Sequence, residues 1–531
     1  MLHRALGRAA SSTGVVGVLA QNAGVQVVVV PEGDGAGRLW FVESGRHERV
    51  ADLAGLMAKV EAEHGPRWVL PATDELYSTL LAGGVRLGRC HDLSLTEGIL
   101  LACAETPGRP RNLAAAWARL HDLPEPPDRP PPSRTEAPTL FEPDRGVLPA
   151  AVDPVEAALE VYVDQQRRLD ADAHPDRLRL LVAAESAGAL AAAEMTHHGL
   201  PWRADVHAAL LADLLGPRPA LGARPARLAE LLEKIEAAFG GGQINPDAPG
   251  SVVRAFKKAG IDVPSSRAWV LREIDHPAVA PLLQYKELAR LWVAHGWSWL
   301  DSWVRDGRFR PDYVVGGVVS GRWATRGGAA LQLPKTLRTA VRADPGWRLV
   351  TADAAQLEPR VLAALSNDQR LAEVSGAADL YESLAADSFD GDRGRAKIAM
   401  LSAMYGGTSG GAGPLLAVLR KRFPHAVDYV EQAARAGEAG SIVRSRLGRT
   451  SPPPSATWRA LTGAAEQDES TERRSRQAAR DWGRFTRNFV VQASASDWAL
   501  TVLAALRRRL SDTPVVFPLQ STVVDCYADA K

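Results

Sequence analysis

RLVTADAAQLEPRVLAALS, Arg348 to Ser366, is the stretch on which the reading of this chain turns. The apolar run "WRLVTAD" has strand character and ends in one bare carboxylate, Asp353. A helical pattern follows, expected to start within two residues, with Leu357, Val361, Leu362 and Leu365 as its buried stripe. Pro359 falls in the first turn, where its missing N–H needs no partner. A buried strand has no structural need for an aspartate at its tip. Either Asp353 caps the helix, or it holds a hard cation. Magnesium takes few protein carboxylates and fills its shell with water and phosphate.

Further along, "DRGRAKIAMLSAMYGG" places Arg393, Lys397, Leu401 and Tyr405 four residues apart, a slowly drifting row on one helical face. Two cations one turn apart suit a triphosphate, and an aromatic beyond them can touch a base. The plain alternative is a solvated charged face. The "GGTSGGAG" run that follows is not a phosphate loop, because it follows a helix rather than a strand and lacks Gly-Lys-Ser/Thr. "TERRSRQAARDWGRFTRN" then spaces Arg473, Arg476, Arg480, Arg484 and Arg487 by three or four. Such a line can follow a phosphate backbone without reading sequence. Glu472 and Asp481 are too few to neutralise it.

Taken together, these stretches resemble the motifs of the bacterial DNA polymerase I family (family A). "ADAAQLEPRVLAAL" is similar to its motif A, with Asp353, Ala354, Ala355, Gln356, Leu357, Glu358, Pro359 and Arg360 on the matching positions. Ala354 and Ala355 replace the family's tyrosine and serine. The resemblance implies that Asp353 binds the catalytic metals and that Glu358 helps exclude a ribose 2′-hydroxyl. Arg393, Lys397, Tyr405 and Gly406 match motif B, Arg-x₃-Lys-x₇-Tyr-Gly. It implies that Arg393 and Lys397 hold the phosphates of the incoming nucleotide and that Tyr405 occupies the template-base position. Leu401 stands where the family has an aromatic packed near the sugar.

"NFVVQASASDWA" resembles Asn-x₃-Gln-Gly-Thr-Ala-Ala-Asp. By that likeness Asn488 and Gln492 touch the primer–template minor groove and Arg484 contacts the template. "SGRWATRGGAALQLP" resembles Thr-Gly-Arg followed by Leu-Gln-Asn-Ile-Pro, which puts Arg322 near the primer end and Gln332 in the second piece. "AAAEMTHHGLPW" resembles the entry to the thumb. The likeness runs from about residue 185 to about 525, in the family's order.

Two regions depart from it. The family's third motif, a strand followed by His-Asp-Glu, aligns with Gln520, Ser521 and Thr522. Asp525 lies further on at an even spacing, so on a strand it could share a face with them and act as a metal ligand. The N-terminal region occupies the place of a proofreading exonuclease, whose chemistry needs several carboxylates around two metals. "VQVVVVPEG" lacks Asp-x-Glu at its strand, Asp92 matches one acidic position, and Asp164 lacks the Tyr-x₃-Asp spacing. An exonuclease-like fold without activity is expected, and there is no room for a 5′-nuclease domain.

The fold class expected is α/β and multidomain: a small exonuclease-like (RNase H-like) domain, then a right-hand polymerase fold with thumb, antiparallel-sheet palm and helical fingers. The boundaries are 1–122 for the exonuclease-like domain, 123–150 for a proline-rich linker, 151–310 for the thumb region, 311–370 and 471–531 for the palm, and 371–470 for the fingers. The chain has 531 residues, 46% hydrophobic and 24% charged, with a formal net charge of +1, so nucleic-acid binding must come from local clusters. Its three cysteines, Cys90, Cys103 and Cys526, are too scattered for a disulfide framework or a zinc site. No uninterrupted apolar run reaches the ~18–20 residues of a spanning helix, and a cytoplasmic monomer without a membrane partner is expected. The implied function is template-directed extension of a primer 3′-hydroxyl with dNTPs, on primer–template DNA, with Mg²⁺. The alternative is a catalytically impaired primer–template binding protein that keeps the fold.

Overall fold

The computed structural model describes residues 24–129, 146–407, 412–463, 469–510 and 522–524. Contacts divide the chain into two units. One comprises Met1–His197, Val314–Ala324 and Ala354–Val515; the other comprises His198–Tyr313, Thr325–Asp353 and Val516–Lys531.

The first unit begins with a five-stranded sheet of order β3-β2-β1-β4-β5. Its strands are β1 (Gln26–Pro31), β2 (Gly37–Phe41), β3 (Arg46–Val50), β4 (Arg67–Leu70) and β5 (Arg89–Asp92). β1–β2 and β2–β3 pair antiparallel, β1–β4 and β4–β5 parallel. Among the described residues six helices belong to this part: α1 (Leu53–His64), α2 (Thr73–Ala82), α3 (Leu93–Cys103), α4 (Leu113–Leu120), α5 (Pro154–Asp170) and α6 (Pro175–His198). The unbroken valine run of β1 is explained by burial on both faces. Val27 and Val29 pack with Met57, Tyr77 and Leu80, while Val28 and Val30 pack with Val155, Ala158, Val161 and Tyr162 of α5.

The second unit holds β6 (Leu200–Pro201), β7 (Val304–Arg305) and β8 (Arg308–Phe309) in one small sheet. Around it lie α7 (Ala204–Leu215), α8 (Ala226–Ala238), α9 (Pro249–Lys258), α10 (Ala268–Leu271), α11 (Val279–His295) and α12 (Trp297–Trp303). Leu228, Leu231 and Ile235 of α8 are buried, with Leu232 and Phe239 packed beside them. Trp202, Trp299, Phe309 and His207 form an aromatic cluster in the same core. One long helix through "PLLQYKELARLWVAHGWSWLDSWV" is the pattern's suggestion, but the chain breaks at Gly296 into α11 and α12. Gly296 is extended there, and a Cβ would meet the Trp292 carbonyl oxygen at 2.3 Å.

The strand suggested by "YVVGGVVSGRW" is likewise cut short. Only β9 (Asp312–Val314) forms, in a ribbon with β10 (Ala324–Arg326). Gly316 and Gly321 turn the intervening chain at φ of +60° and +81°, a region closed to most side chains. The last ribbon pairs β11 (Leu349–Thr351) with β12 (Thr522–Val524), antiparallel.

The rest of the first unit is the helical insertion that the sequence places between its last strands: α13 (Leu357–Ser366), α14 (Gln369–Ser375), α15 (Leu380–Ser388), α16 (Arg393–Tyr405), α17 (Ala412–Arg422), α18 (Pro424–Glu438), α19 (Ala456–Gly463) and α20 (Glu469–Arg509). In α13 Pro359, Leu362 and Ala363 are buried; of the stripe expected, Leu362 is buried and Leu357, Val361 and Leu365 are half-buried. α20 carries a stretch long and apolar enough by length and composition to cross a bilayer, although polar residues interrupt its apolar run. Its Phe489, Val490, Val491 and Ala493 are buried in the protein core instead.

Candidate nucleotide site

In the second unit, β11 ends at Thr351 and Asp353 follows, exposed. Asp353 does not cap the helix. α13 starts at Leu357, later than expected, and its N-cap position is Gln356, held at φ 47° with no side-chain cap bond. The Asp353 carboxylate makes no hydrogen bond or ion pair among the described residues.

The register of β12 bears on the partner carboxylate. Thr522 pairs with Thr351, the end of β11 nearest Asp353, and Val524 pairs with Leu349 at the other end. β12 therefore runs away from Asp353 as it approaches residue 525. Asp525 itself, with Gln520 and Ser521, lies outside the described residues. Among the described residues no group of three His, Cys, Asp or Glu side chains is arranged to hold a metal. One carboxylate can hold an Mg²⁺ whose other ligands are water and phosphate, but it does not make a site for a bridged metal pair.

In the first unit, α16 displays the row expected of it. Asp392 caps the helix through the Arg395 N–H at 3.0 Å. Ala396, Ala399, Met400, Ala403 and Met404 anchor the buried face, leaving Arg393, Lys397 and Tyr405 exposed and Leu401 half-buried on the other. Arg393 is not free. It donates to the Asp379 carboxylate at 2.8 and 3.1 Å and lies over the Tyr381 ring at 5.6 Å. Asp379 caps α15 at the same time. Sequence reasoning passes over both residues, since nothing in their spacing marks a partner for Arg393. Lys397 makes no ion pair among the described residues.

The helices α13 and α16 meet at a single polar contact, where the Tyr405 hydroxyl donates to the Glu358 carboxylate. Burial, then this hydrogen bond, pushes the phenol well above its ordinary pKa, while the charge of Arg322 pulls the other way. The phenol thus stays protonated and keeps donating. Arg360 ties the start of α13 to the turn before α15, donating to the Ala377 and Ala378 carbonyls at 2.9 and 3.1 Å. Gly406 ends α16 at φ 70°, and a Cβ there would meet Arg484 Cγ at 2.9 Å. Gln492 accepts from Ser320 Oγ at 2.7 Å, two residues before the exposed Arg322. The contacts thus link Glu358 with Tyr405, Gly406 with Arg484, and the Arg322 segment with Gln492, within one unit. Asn488, half-buried, lies one turn before Gln492 on α20.

The arginine line on α20 is less open than its spacing suggests. Arg473 pairs with Glu469 at 2.7 Å, Arg476 with Glu472, and Arg484 with Asp481. Arg487 is buried and pairs with Glu431 at 2.5 Å, so it supports the fold rather than the surface. Of these five only Arg480 lacks a carboxylate among the described residues, bonding to Gln477 at 3.1 Å.

The model of DNA polymerase family A matches residues 226–524, more than half of the chain. The chain belongs to DNA polymerase family A. Its likeness to the DNA polymerase I of Chloroflexus aurantiacus is 26% identity over 271 residues, which is 42% of this chain but only 28% of that relative. The POL domain of Pol1 from M. smegmatis, solved in complex with DNA primer-template and dNTP, superposes with a TM-score of 0.66. That match covers 96% of this chain and 91% of the other at 19% identity, a likeness of fold. Within this family A chain, the exposed row of motif B lies where its spacing put it.

Proposed function

We propose that this chain is a template-directed DNA polymerase that extends a primer 3′-hydroxyl with dNTPs. The observation that supports it most is the Tyr405–Glu358 hydrogen bond, which joins the motif A helix to the motif B helix. Lys397, exposed and without an ion pair, and Arg393, held by Asp379, would neutralise the triphosphate. Glu358 and Tyr405 would bound the sugar and base. Arg322, Arg484, Asn488 and Gln492 would lie along the primer–template. In the reaction the primer oxygen attacks the α-phosphorus and pyrophosphate leaves, so phosphate charge must be held in place throughout. Asp353 would hold Mg²⁺, which when bound neutralises further phosphate charge.

The N-terminal sheet supports an exonuclease-like domain without proofreading. Where carboxylates would be needed, β1 presents Val28 and Val30 to an apolar core. Asp92 accepts the Thr73 and Leu95 backbone N–H groups at 2.7 and 2.8 Å, a structural cap. Residues 151–310 would be the thumb, 371–470 the fingers, and 311–370 with 471–531 the palm.

A second reading, a primer–template binding protein without catalysis, is favoured by one observation: β12 brings Thr522 rather than a carboxylate beside the end of β11 nearest Asp353. A primer-extension assay on a short hairpin with Mg²⁺ separates the two. Extension that falls at least a hundredfold in Asp353→Ala or on chelation supports the polymerase. Tight hairpin binding with no extension by the unaltered chain overturns it in favour of the second.

A further inference from the structure

Three segments remote in sequence enclose a cavity of about 420 Å³ in the first unit, on the loop and first turn of α6, on α18, and on the chain after it. Its charged wall is made by Arg177, Arg444 and Arg446, with Asp172, His174 and Tyr429 beside them. Asp172 is occupied. One oxygen accepts from Arg444 at 3.0 Å and the other from the His174 backbone N–H at 2.8 Å. Arg177 and Arg446 have no side-chain hydrogen bond or ion pair among the described residues. Three guanidinium groups against one carboxylate leave the wall cationic. Nothing in the family motifs uses these residues.

We propose that this cavity is an anion site that takes a backbone phosphate of single-stranded nucleic acid. Two uncommitted guanidinium groups in a concave wall offer the forked donors that match a phosphate. Tyr429 adds an aromatic surface, and cations beside an aromatic hold single strands without reading their sequence. A free nucleotide would also need side chains to bond its base edge. Ser445 already donates to Asp497 at 2.6 Å, so only His174 and the Tyr429 hydroxyl are left on the wall for that. The wall therefore suits a phosphodiester better than a whole nucleotide. The inference rests on the polymerase reading only for the source of the single strand.

The test is fluorescence anisotropy of a labelled oligothymidylate with the full chain, without dNTP or metal, over a range of salt. Arg177→Gln/Arg446→Gln should weaken binding about five- to tenfold and flatten the salt dependence by about 0.7 in log–log slope for the lost phosphate contact. Arg177→Lys/Arg446→Lys should keep most of that slope, and a blunt duplex should bind all variants alike. Unchanged affinity and slope in the glutamine variant, at an unchanged melting temperature, overturns the proposal. So does protection of Arg446 from phenylglyoxal by inorganic phosphate or a dNTP but not by the oligonucleotide, which makes the cavity a free-anion site. Because binding alone is read, a chain that fails to extend primers still gives a decisive result.

Discussion

Tyr405 and Glu358 show how much a single contact between side chains adds to what spacing predicts. Periodicity put Tyr405 on the exposed row of α16, and the motif resemblance gave Glu358 a role near the sugar. Neither indicated that the two would bond to each other, because they come from separate helices. The bond uses a neutral donor and a charged acceptor, so each partner alone is worth about 1.5–3 kcal/mol at most, less for groups this exposed. Tyr405→Phe and Glu358→Gln are each expected to weaken dNTP binding up to about tenfold. The double variant should be no worse than the more damaged single one. Titration of dNTP against a preformed hairpin complex checks this, and fully multiplicative losses would mean that the two side chains act independently.

At the scale of elements, α18 and α20 explain why the helical insertion holds its shape. The two helices approach closely at two glycines. A Cβ at Gly437 would meet Thr486 Oγ1 at 2.0 Å, and one at Gly483 would meet the Ala434 carbonyl oxygen at 2.9 Å. The Thr486 hydroxyl also donates to the Ala433 carbonyl at 2.8 Å, so the contact is both tight and polar. Gly437→Ala should cost about 1–3 kcal/mol by overpacking, and adding Thr486→Ala should recover part of it. Urea denaturation measures both, and no loss in the single variant would refute the close approach. Helices were legible from sequence where spacing put a row of residues on one face, as in α16. Breaks such as Gly296 were not, because the close approach of the Trp292 carbonyl, which only glycine tolerates, shows only in three dimensions. The arginines of α20 show the same limit. Spacing drew all five to one face, but the partner of Arg487 is Glu431 on α18, which no local pattern reveals. Asp353 was legible as an unusual strand-tip acid, whereas the register that sets its neighbour depends on β12, far along the chain.

At the scale of the whole chain, the N-terminal sheet is built into the first unit and not attached as a separable module. Arg507, near the end of α20, is buried and donates to Glu194 on α6 at 2.6 and 3.0 Å. It also donates to the Gly88 carbonyl at 2.8 Å, just before β5. Tyr77 of α2 adds its hydroxyl to the same carboxylate at 2.6 Å. Leu190 of α6 completes the hydrophobic cluster of the sheet. A chain that starts after residue 150 would strip Glu194 and Arg507 of part of this shell and expose Leu190 to water. Leaving a buried polar group short of its partners costs about 1–3 kcal/mol, a large share of a domain's stability. Two variants separate this link from general damage. Deletion of residues 1–150 is expected to lower the melting temperature and open the α6–α20 contact to proteolysis. Arg507→Ala in the full chain should produce a smaller shift of the same kind, because Glu194 keeps Arg86 and Tyr77 as partners. A truncated chain that melts and resists protease like the full one would show that the sheet, inactive as an exonuclease in this reading, has no structural role either.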